Sequence, residues 1–262
     1  MALEEYAGDM NMCCRCSACK FVPLQMVKGF KHANVCPSIS RYSFHYYSGG
    51  GRLNMGVQGL DKGFTYTPRY LDSVYNCQMC GACDVSCKYG MDMEVLRPVQ
   101  ELRIKAVQDG HAHPALEKVV ARMRKTGTMM AGKGKRGAWA EGLGLTDATK
   151  QKVDVLYHVG CLTSYDEDMQ KVAKATAAVL KKAGVKFGIL GDAETCCGAR
   201  AYEMGYEADF LAQAAKSVAA IKKSGAKTLV TSCATCYQAY NVLYDRFGLK
   251  GDLEVLHISQ LM

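Results

Sequence analysis

Several classes of protein are excluded by what this 262-residue sequence lacks. Its first residues, MALEEYAGDMNM, contain neither a basic start nor an apolar stretch, so no secretory signal is expected. Because no run of about 18 apolar residues occurs, no membrane-spanning helix is predicted. No G-x-G-x-x-G follows a predicted strand, so flavin or nicotinamide chemistry is expected to belong to another subunit. We expect a cytoplasmic protein, with any membrane association made through partners.

Cysteine, by contrast, is abundant, with 14 residues in the chain. Disulfide scaffolds are the alternative, but they are usually short secreted chains, and a reducing cytosol favours metal ligation. The formal charge of +8 treats every cysteine as neutral, whereas metal-bound cysteines are thiolates. An oxidised four-iron cubane with its four thiolates carries a net charge of about −2. The basic balance therefore does not predict a nucleic-acid partner.

Two cysteine runs have the spacing of iron–sulfur ligands. The first is C-x2-C-x2-C with a delayed fourth cysteine before Pro37, and the second is C-x2-C-x2-C-x3-C. In two-cluster ferredoxins the fourth cysteine of each run ligates the other cluster. The predicted ligands of two [4Fe-4S] cubanes are therefore Cys13, Cys16, Cys19 and Cys87 for cluster 1, and Cys36, Cys77, Cys80 and Cys83 for cluster 2. Structural zinc, which prefers two C-x2-C pairs, is the alternative, and Cys14 is a plain thiol or an exchangeable ligand.

The delayed Cys36 is explained by intervening helices, which places this part of the chain with the α-helical ferredoxins. Thr67-Pro68 and Pro114 predict helix starts, because proline is favoured in the first turn of a helix. Residues 36–66, which include the Ser48–Gly51 stretch, are predicted to be loop-like. A glycine- and lysine-rich segment without apolar periodicity follows at 126–150 and is predicted to be a linker or surface loop. The predicted domains are 1–125 and 151–262.

From residue 152 onward, strand-like and helical segments alternate, which predicts an α/β domain with a mostly parallel sheet. The fold class is therefore α+β multidomain, with a helical ferredoxin domain followed by an α/β domain. The helix Asp166–Lys182 is predicted to turn its apolar side, including Val172 and Val179, toward the core. The third cysteine group follows the predicted strands, at the sheet edge where ligands bind in open α/β sheets. Its members are Cys161, Cys196, Cys197, Cys233 and Cys236.

Five cysteines exceed the four that a cubane needs, and the adjacent Cys196 and Cys197 can serve two irons of one cluster. Gly198 permits a positive φ or a close approach of the backbone. His158, three residues before Cys161, is either a hydrogen-bond donor to a sulfur or a strand-end histidine with ordinary partners.

The pattern Cys161, Cys196-Cys197-Gly198, Cys233-x2-Cys236 resembles the CCG domain of the B and D subunits of heterodisulfide reductase. A helical ferredoxin followed by this domain resembles the D subunit, which fuses the C-type and B-type parts. Related chains occur in lactate, glycolate and glycerol-3-phosphate oxidising systems and in benzoyl-CoA reductase complexes of anaerobes. The resemblance implies that the five cysteines bind a third [4Fe-4S] cluster, of noncubane type. Relatives usually have two CCG domains and this sequence has one motif, so either the sequence is partial or one CCG cluster suffices.

The resemblance implies an iron–sulfur electron-transfer subunit of an anaerobic redox complex. Its expected partners are a flavoprotein of heterodisulfide reductase A type, a ferredoxin or a membrane cytochrome, and the CCG cluster is the candidate site for reducing a thiol/disulfide substrate. One alternative is a relay subunit of a hydroxy-acid, glycerol-3-phosphate or benzoyl-CoA system with no substrate chemistry of its own. The other alternative is a zinc-bound interaction module.

Overall fold

The computed structural model describes residues 2–21, 28–29, 33–132 and 134–261. The chain divides into two compact units. The first comprises Met1–Pro114 with Glu203–Tyr206, and the second comprises Ala115–Tyr202 with Glu207–Met262. Within the described residues, every helix is too short or too polar to cross a membrane.

The first unit is built from short helices around an apolar core. Helix α4 begins at Pro68, as predicted, because the Thr67 hydroxyl accepts from the Tyr70 N–H at 3.1 Å and proline fits the first turn. The core contains Leu53, Val74 and Leu102, each at most 1% exposed. The helices of this part of the chain are α1 (Ala7–Met12), α2 (Pro37–Tyr42), α3 (Gly49–Gly59), α4 (Pro68–Tyr75), α5 (Ala82–Met91), α6 (Leu96–Gln108) and α7 (Pro114–Thr126, whose first residue ends this unit).

The predicted loop at 36–66 is wrong in two places, because it contains helices α2 and α3, and α3 begins at Gly49 within the glycine stretch. Ser48 caps the helix, and its hydroxyl accepts from the Gly51 N–H at 3.0 Å. Glycine disfavours a helix by about 1 kcal/mol per residue relative to alanine, which is why the composition indicates a loop. The close approach of cysteine side chains, described below, explains why glycine is nevertheless used here.

The second unit contains a five-stranded parallel sheet in the order β1-β3-β2-β4-β5, which confirms the predicted parallel sheet. Strand β1 was not predicted, because two residues are too few to show periodicity. The strands are β1 (Thr146–Asp147), β2 (Val155–His158), β3 (Phe187–Ile189), β4 (Thr228–Thr231) and β5 (Glu254–His257). The helices are α8 (Cys161–Tyr165), α9 (Glu167–Lys182), α10 (Ala199–Glu203, its last residue in the first unit), α11 (Glu207–Ser224), α12 (Ala234–Gln238), α13 (Tyr244–Arg246) and α14 (Ile258–Leu261), with a π-helical turn at Ala239–Leu243.

Helix α9 exists where predicted, but the predicted apolar side, Val172, Ala175, Val179 and Leu180, is only partly right. Leu180 is buried as predicted, together with Ala173 and Ala177, whereas Ala175 is exposed and Val172 and Val179 are 41% and 40% exposed. Small alanine side chains at i and i+4 let the helix approach the sheet closely.

Residues 126–150 contribute strand β1 and the buried Trp139 to the second unit. Trp139 packs edge-to-face on Tyr157, with ring centroids 6.0 Å apart. The boundaries 1–125, 126–150 and 151–262 remain predictions, but this segment supplies part of the core and, as shown below, part of the candidate site.

Candidate metal centres

The five cysteines of the second unit follow three adjacent strands. Cys161 begins α8 after β2, the Cys196–Cys197 pair follows β3, and Cys233 lies at the N-terminal end of α12 after β4. Because β3, β2 and β4 are parallel neighbours, their carboxyl ends bring these cysteines to one edge of the sheet.

The sulfurs of this group form one continuous series of contacts. The Sγ atoms of Cys236 and Cys197 are 3.6 Å apart. Hydrogen bonding to Cys196 raises the pKa of Cys161, and Cys196 and Cys236 lower the pKa of Cys197 by hydrogen bonding to it. Cys236 likewise lowers the pKa of Cys233 to about 5. The series therefore runs Cys161, Cys196, Cys197, Cys236, Cys233. Within it the pKa is lowered at Cys197 and Cys233 and raised at Cys161, Cys196 and Cys236.

Two glycines let the backbone approach these sulfurs. Gly160 has φ +88°, and a Cβ there would lie 3.1 Å from the Cys236 Sγ. Gly198 has φ +77°, which confirms the expected positive φ, and a Cβ there would lie 3.0 Å from the Phe210 ring.

Beside the cysteines lies a buried charge network centred on Glu194, which is 6% exposed. Its carboxylate accepts from the backbone N–H groups of Val159 and Gly160, each at 2.9 Å. The Arg136 guanidinium, also 6% exposed, donates to the same carboxylate at 2.9 Å and reaches the Cys161 Sγ at 3.5 Å. Burial alone would raise the pKa of Glu194, but His158, Arg136 and the two N–H donors hold it below its usual value.

His158 lies in the same network, at the end of β2, and is 1% exposed. Its Nδ1 is 3.6 Å from the Glu194 carboxylate and 3.5 Å from the Tyr240 hydroxyl. Its Nε2 is buried and has no hydrogen-bond partner among the described residues. Burial lowers the pKa of His158, whereas the Glu194 carboxylate raises it. Of the two roles predicted for His158, the unpartnered nitrogen favours hydrogen bonding to a bound group.

The cysteines of the first unit have neighbours across the two runs. Burial, with smaller contributions from the sulfurs of Cys19, Cys16 and Cys13, raises the pKa of Cys87 to about 11. Burial likewise raises the pKa of Cys83, with contributions from Cys77, Cys19, Asp84 and Cys36. Cys87 thus interacts with the cysteines of the first run, and Cys83 interacts with Cys36 and also with Cys19. Cys14 and Cys80 are exposed.

The first turn of α3 forms a cradle of glycines against these sulfurs. The Gly50 N–H donates to the Cys19 Sγ at 3.4 Å, and the Cys13 thiol lies 4.0 Å from the Gly50 carbonyl oxygen. A Cβ at Gly50 would lie 3.1 Å from the Cys13 Sγ, and one at Gly49 would lie 3.2 Å from the Cys83 Sγ. The backbone therefore occupies the space beside sulfurs of both runs, which fits iron–sulfur ligation because such clusters receive backbone hydrogen bonds.

Replacing Gly50 with alanine is expected to weaken metal retention, because the added methyl group displaces the Cys13 sulfur. Overpacking of this kind costs about 1–3 kcal/mol. The measurement is the rate of iron loss to a chelator. Gly90→Ala is the matched control, since Gly90 is also helical and a Cβ there meets nothing within 4 Å. Equal rates of iron loss in the two variants would show that the close approach of Gly50 to the sulfurs does not affect metal retention.

Two buried arginines place positive charge near two other cysteines of the first unit. Arg52, 1% exposed, donates to the carbonyl oxygens of Ser73, at 2.9 Å, and Tyr47, and the latter oxygen also lies 3.8 Å from the Cys36 Sγ. Arg103, 5% exposed, donates to the Cys77 carbonyl oxygen at 2.6 Å. These acceptors are neutral, and burying a charge is costly unless opposite charge compensates it. Clusters with net negative charge would provide that compensation.

Within the described ranges, no three His, Cys, Asp or Glu side chains are arranged to hold a single metal ion. Glu194 and Arg136 were missed from the sequence. Glu194 stands two residues before Cys196, so its position beside the cysteine pair was a usable signal, whereas nothing in the sequence near Arg136 indicates its contact with Cys161.

Two protein-family models match parts of the chain. Residues 9–91 match the 4Fe-4S dicluster domain, and residues 155–239 match the cysteine-rich domain named CCG. The chain therefore contains a 4Fe-4S dicluster domain followed by a cysteine-rich domain, which confirms the resemblance stated above. Both matches describe iron–sulfur or cysteine-rich modules rather than a whole protein.

The chain is similar to several curated proteins. It is 28% identical over 266 residues to the D subunit of dihydromethanophenazine:CoB–CoM heterodisulfide reductase from Methanosarcina barkeri, a match covering 97% of this chain and 62% of that protein. EtfAB:quinone oxidoreductase of Syntrophomonas wolfei is 25% identical, covering 79% and 29%, respectively. The probable iron-sulfur-binding oxidoreductase FadF of Bacillus subtilis is 26% identical, covering 73% and 28%.

The chain thus spans about three fifths of the length of these heterodisulfide reductase relatives, 62% in the Methanosarcina barkeri protein. No solved structure gives a significant match.

Proposed function

We propose that this chain is an iron–sulfur electron-transfer subunit of a heterodisulfide reductase-like redox complex. It passes electrons between a flavoprotein, ferredoxin or cytochrome partner and the CCG site, where a thiol/disulfide substrate is reduced. The observation that carries the proposal is the continuous series of five cysteine sulfurs at the carboxyl edge of the parallel sheet. The relatives named as D subunits of heterodisulfide reductase, similar over 97% of this chain, support the same class of reaction.

The proposed ligands are those predicted from the sequence. Cys13, Cys16, Cys19 and Cys87 hold one cubane, and Cys36, Cys77, Cys80 and Cys83 hold the other. The neighbours of Cys87 and Cys83 support this crossed arrangement. Cys161, Cys196, Cys197, Cys233 and Cys236 hold the third, noncubane cluster. When bound, these clusters supply one-electron redox chemistry.

The other residues of the second unit position the cysteines and exclude water. Glu194 fixes the turn between β2 and Cys161 through the Val159 and Gly160 N–H groups. The Tyr244 hydroxyl donates to the Cys197 carbonyl oxygen at 3.2 Å, and Gln213 donates to that of Cys196 at 3.2 Å. These bonds hold the adjacent cysteines in one orientation from the opposite side.

A relay role without substrate chemistry is the second candidate. It is favoured by the similarity to EtfAB:quinone oxidoreductase. In that case the five cysteines carry electrons between partners, and a disulfide does not bind to them.

Metal content and spectroscopy of the anaerobically purified chain test the proposal. Three four-iron clusters predict about twelve irons per chain, and fewer than about eight would overturn the cubane pair. A colourless protein containing zinc would instead indicate an interaction module.

Electron paramagnetic resonance of the oxidised chain is then compared with and without the CoB–CoM heterodisulfide or its thiols. A signal perturbed by substrate in the natural chain and in Cys14→Ser, and absent in Cys197→Ser, is expected for substrate chemistry at the CCG site. A signal unchanged by substrate would favour the relay.

A further inference from the structure

The guanidinium of Arg136 lies between a carboxylate and a cysteine sulfur. Its Nη2 donates to the Glu194 Oε1 at 2.9 Å, to the Thr195 carbonyl oxygen at 3.4 Å and to the Cys161 Sγ at 3.5 Å. The Nε donates to the same carboxylate oxygen at 3.3 Å. With both charged side chains about 6% exposed, the positive end of this buried ion pair points at the sulfur.

The surrounding backbone fixes this arrangement. Glu194 cannot follow a moving arginine, because the Val159 and Gly160 N–H groups hold its two oxygens. On the other side, the Gly137 N–H donates to the Asp192 carboxylate at 2.7 Å, which attaches the residue after Arg136 to the β3–Cys196 connection. A Cβ at Gly137 would lie 3.1 Å from the Asp192 nitrogen, so glycine permits this approach.

Glu194 is buried and accepts from both the Nε and the Nη2 of the guanidinium. An aligned, buried ion pair has a strong local field, because the effective dielectric constant is lower there than in water. Hydrogen bonds to a thiolate sulfur stabilise negative charge on it.

We propose that Arg136 is a positioning residue of the CCG site that donates a charge-assisted hydrogen bond to the Cys161 thiolate and raises the reduction potential of the cluster held there. The inference rests on the proposed function, in which the five cysteines hold an iron–sulfur cluster. Reduction adds one electron and one negative charge, and a fixed positive charge favours that state. Arg136 transfers no proton, because arginine stays protonated in proteins.

A redox titration monitored by electron paramagnetic resonance tests this role in the full chain loaded with clusters. Arg136→Met removes the charge and hydrogen bond at similar volume, and is expected to shift the oxidised/reduced ratio of the CCG cluster at least about tenfold toward oxidised, which is about 59 mV for one electron. Arg136→Lys keeps the charge without the planar fork, and its reduction potential is expected to lie between those of the natural chain and Arg136→Met. The cubane signals of the same samples are the internal reference and should not move.

Two further variants separate the electrostatic role from a structural one. Arg124→Met is the matched control, since Arg124 pairs with Glu117 and Asp209 in the same unit, and its potential should equal that of the natural chain. The double variant Arg136→Met/Glu194→Gln leaves no unpaired buried charge, so it retains the fold and should still have a lowered potential.

Unchanged potentials in Arg136→Met, Arg136→Lys and the double variant, with about twelve irons retained, would overturn the inference and leave the proposed function intact. If the natural chain holds only about eight irons, the third cluster of the proposed function is wrong, and this inference is wrong with it.

Discussion

Replacing Glu194 with alanine is expected to destabilise the second unit by about 3–5 kcal/mol and to prevent loading of the CCG cluster, since removing one partner of a buried ion pair leaves the other charge uncompensated. The loss is large because one carboxylate serves several partners. Arg136 loses its counter-charge, and the N–H groups of Val159 and Gly160 lose their acceptor in a buried position. The same N–H groups lead directly into Cys161, so that cysteine also loses its position.

The chain offers a local reporter for this measurement. Its single tryptophan, Trp139, lies in the core of the second unit and is 3% exposed. Urea unfolding followed by tryptophan fluorescence therefore reports the unit that contains Glu194, and iron analysis reports the cluster.

Two control variants interpret the result. Glu194→Gln keeps an acceptor while removing the charge, so its loss should be smaller than that of alanine. Glu141→Ala removes an exposed carboxylate and should change stability by at most about 0.5 kcal/mol. If Glu194→Ala and Glu141→Ala unfold at the same urea concentration, the Glu194 network does not stabilise the second unit.

The sheet and the cysteine positions were predictable because they depend on local patterns. Strands β2 to β5 each follow or precede a helix, and that alternation alone predicts parallel strands. Cys161 and Cys233 come directly after strands, so the common carboxyl edge follows from topology. A short strand such as β1, with two residues, leaves no periodic signal.

The charge network could not be predicted, because it is formed by long-range contacts. Arg136 lies 25 residues before Cys161 and 58 before Glu194. Its neighbours are glycines and lysines, a composition that is typical of exposed loops. Nothing in the local sequence distinguishes this buried arginine from the basic residues around it. Residues 126–150 therefore looked like a linker in sequence, although Arg136 and Trp139 are buried.

In α3, by contrast, the low helix propensity of glycine was misleading. Three consecutive glycines disfavour a helix, yet Gly49 and Gly50 face the Cys83 and Cys13 sulfurs with no room for a side chain. Packing against the cysteines selects glycine here, and the Ser48 cap helps to offset its poor helix propensity. Proline at position 68 was informative because its effect is local to the first turn.

Replacing Cys36 or Cys87 with alanine is expected to affect different cubanes, which tests the crossed ligation directly. If ligation is crossed, Cys87→Ala damages the cluster held by Cys13, Cys16 and Cys19, because Cys87 lies near those thiols. Cys36→Ala damages the cluster held by the second run, consistent with its position near Cys83. Loss of one ligand converts a four-iron cluster into a three-iron form or releases it, so each variant should lose between about one and four irons per chain.

The assignment of each loss comes from combining variants in pairs. Cys87→Ala with Cys13→Ala should lose at most about four irons and leave the signal of the other cubane unchanged, because both ligands belong to one cluster, whereas Cys87→Ala with Cys77→Ala should change the signals of both cubanes. Uncrossed ligation predicts the reverse, since Cys87 would then share its cluster with Cys77. Cys14→Ala is the control for removing a thiol beside the first run, because Cys14 lies outside the C-x2-C-x2-C spacing and should leave the iron content unchanged. The two pairs of variants therefore give opposite results for crossed and uncrossed ligation. The crossed arrangement requires that the ends of the two runs be held together by the metal clusters as well as by the apolar core.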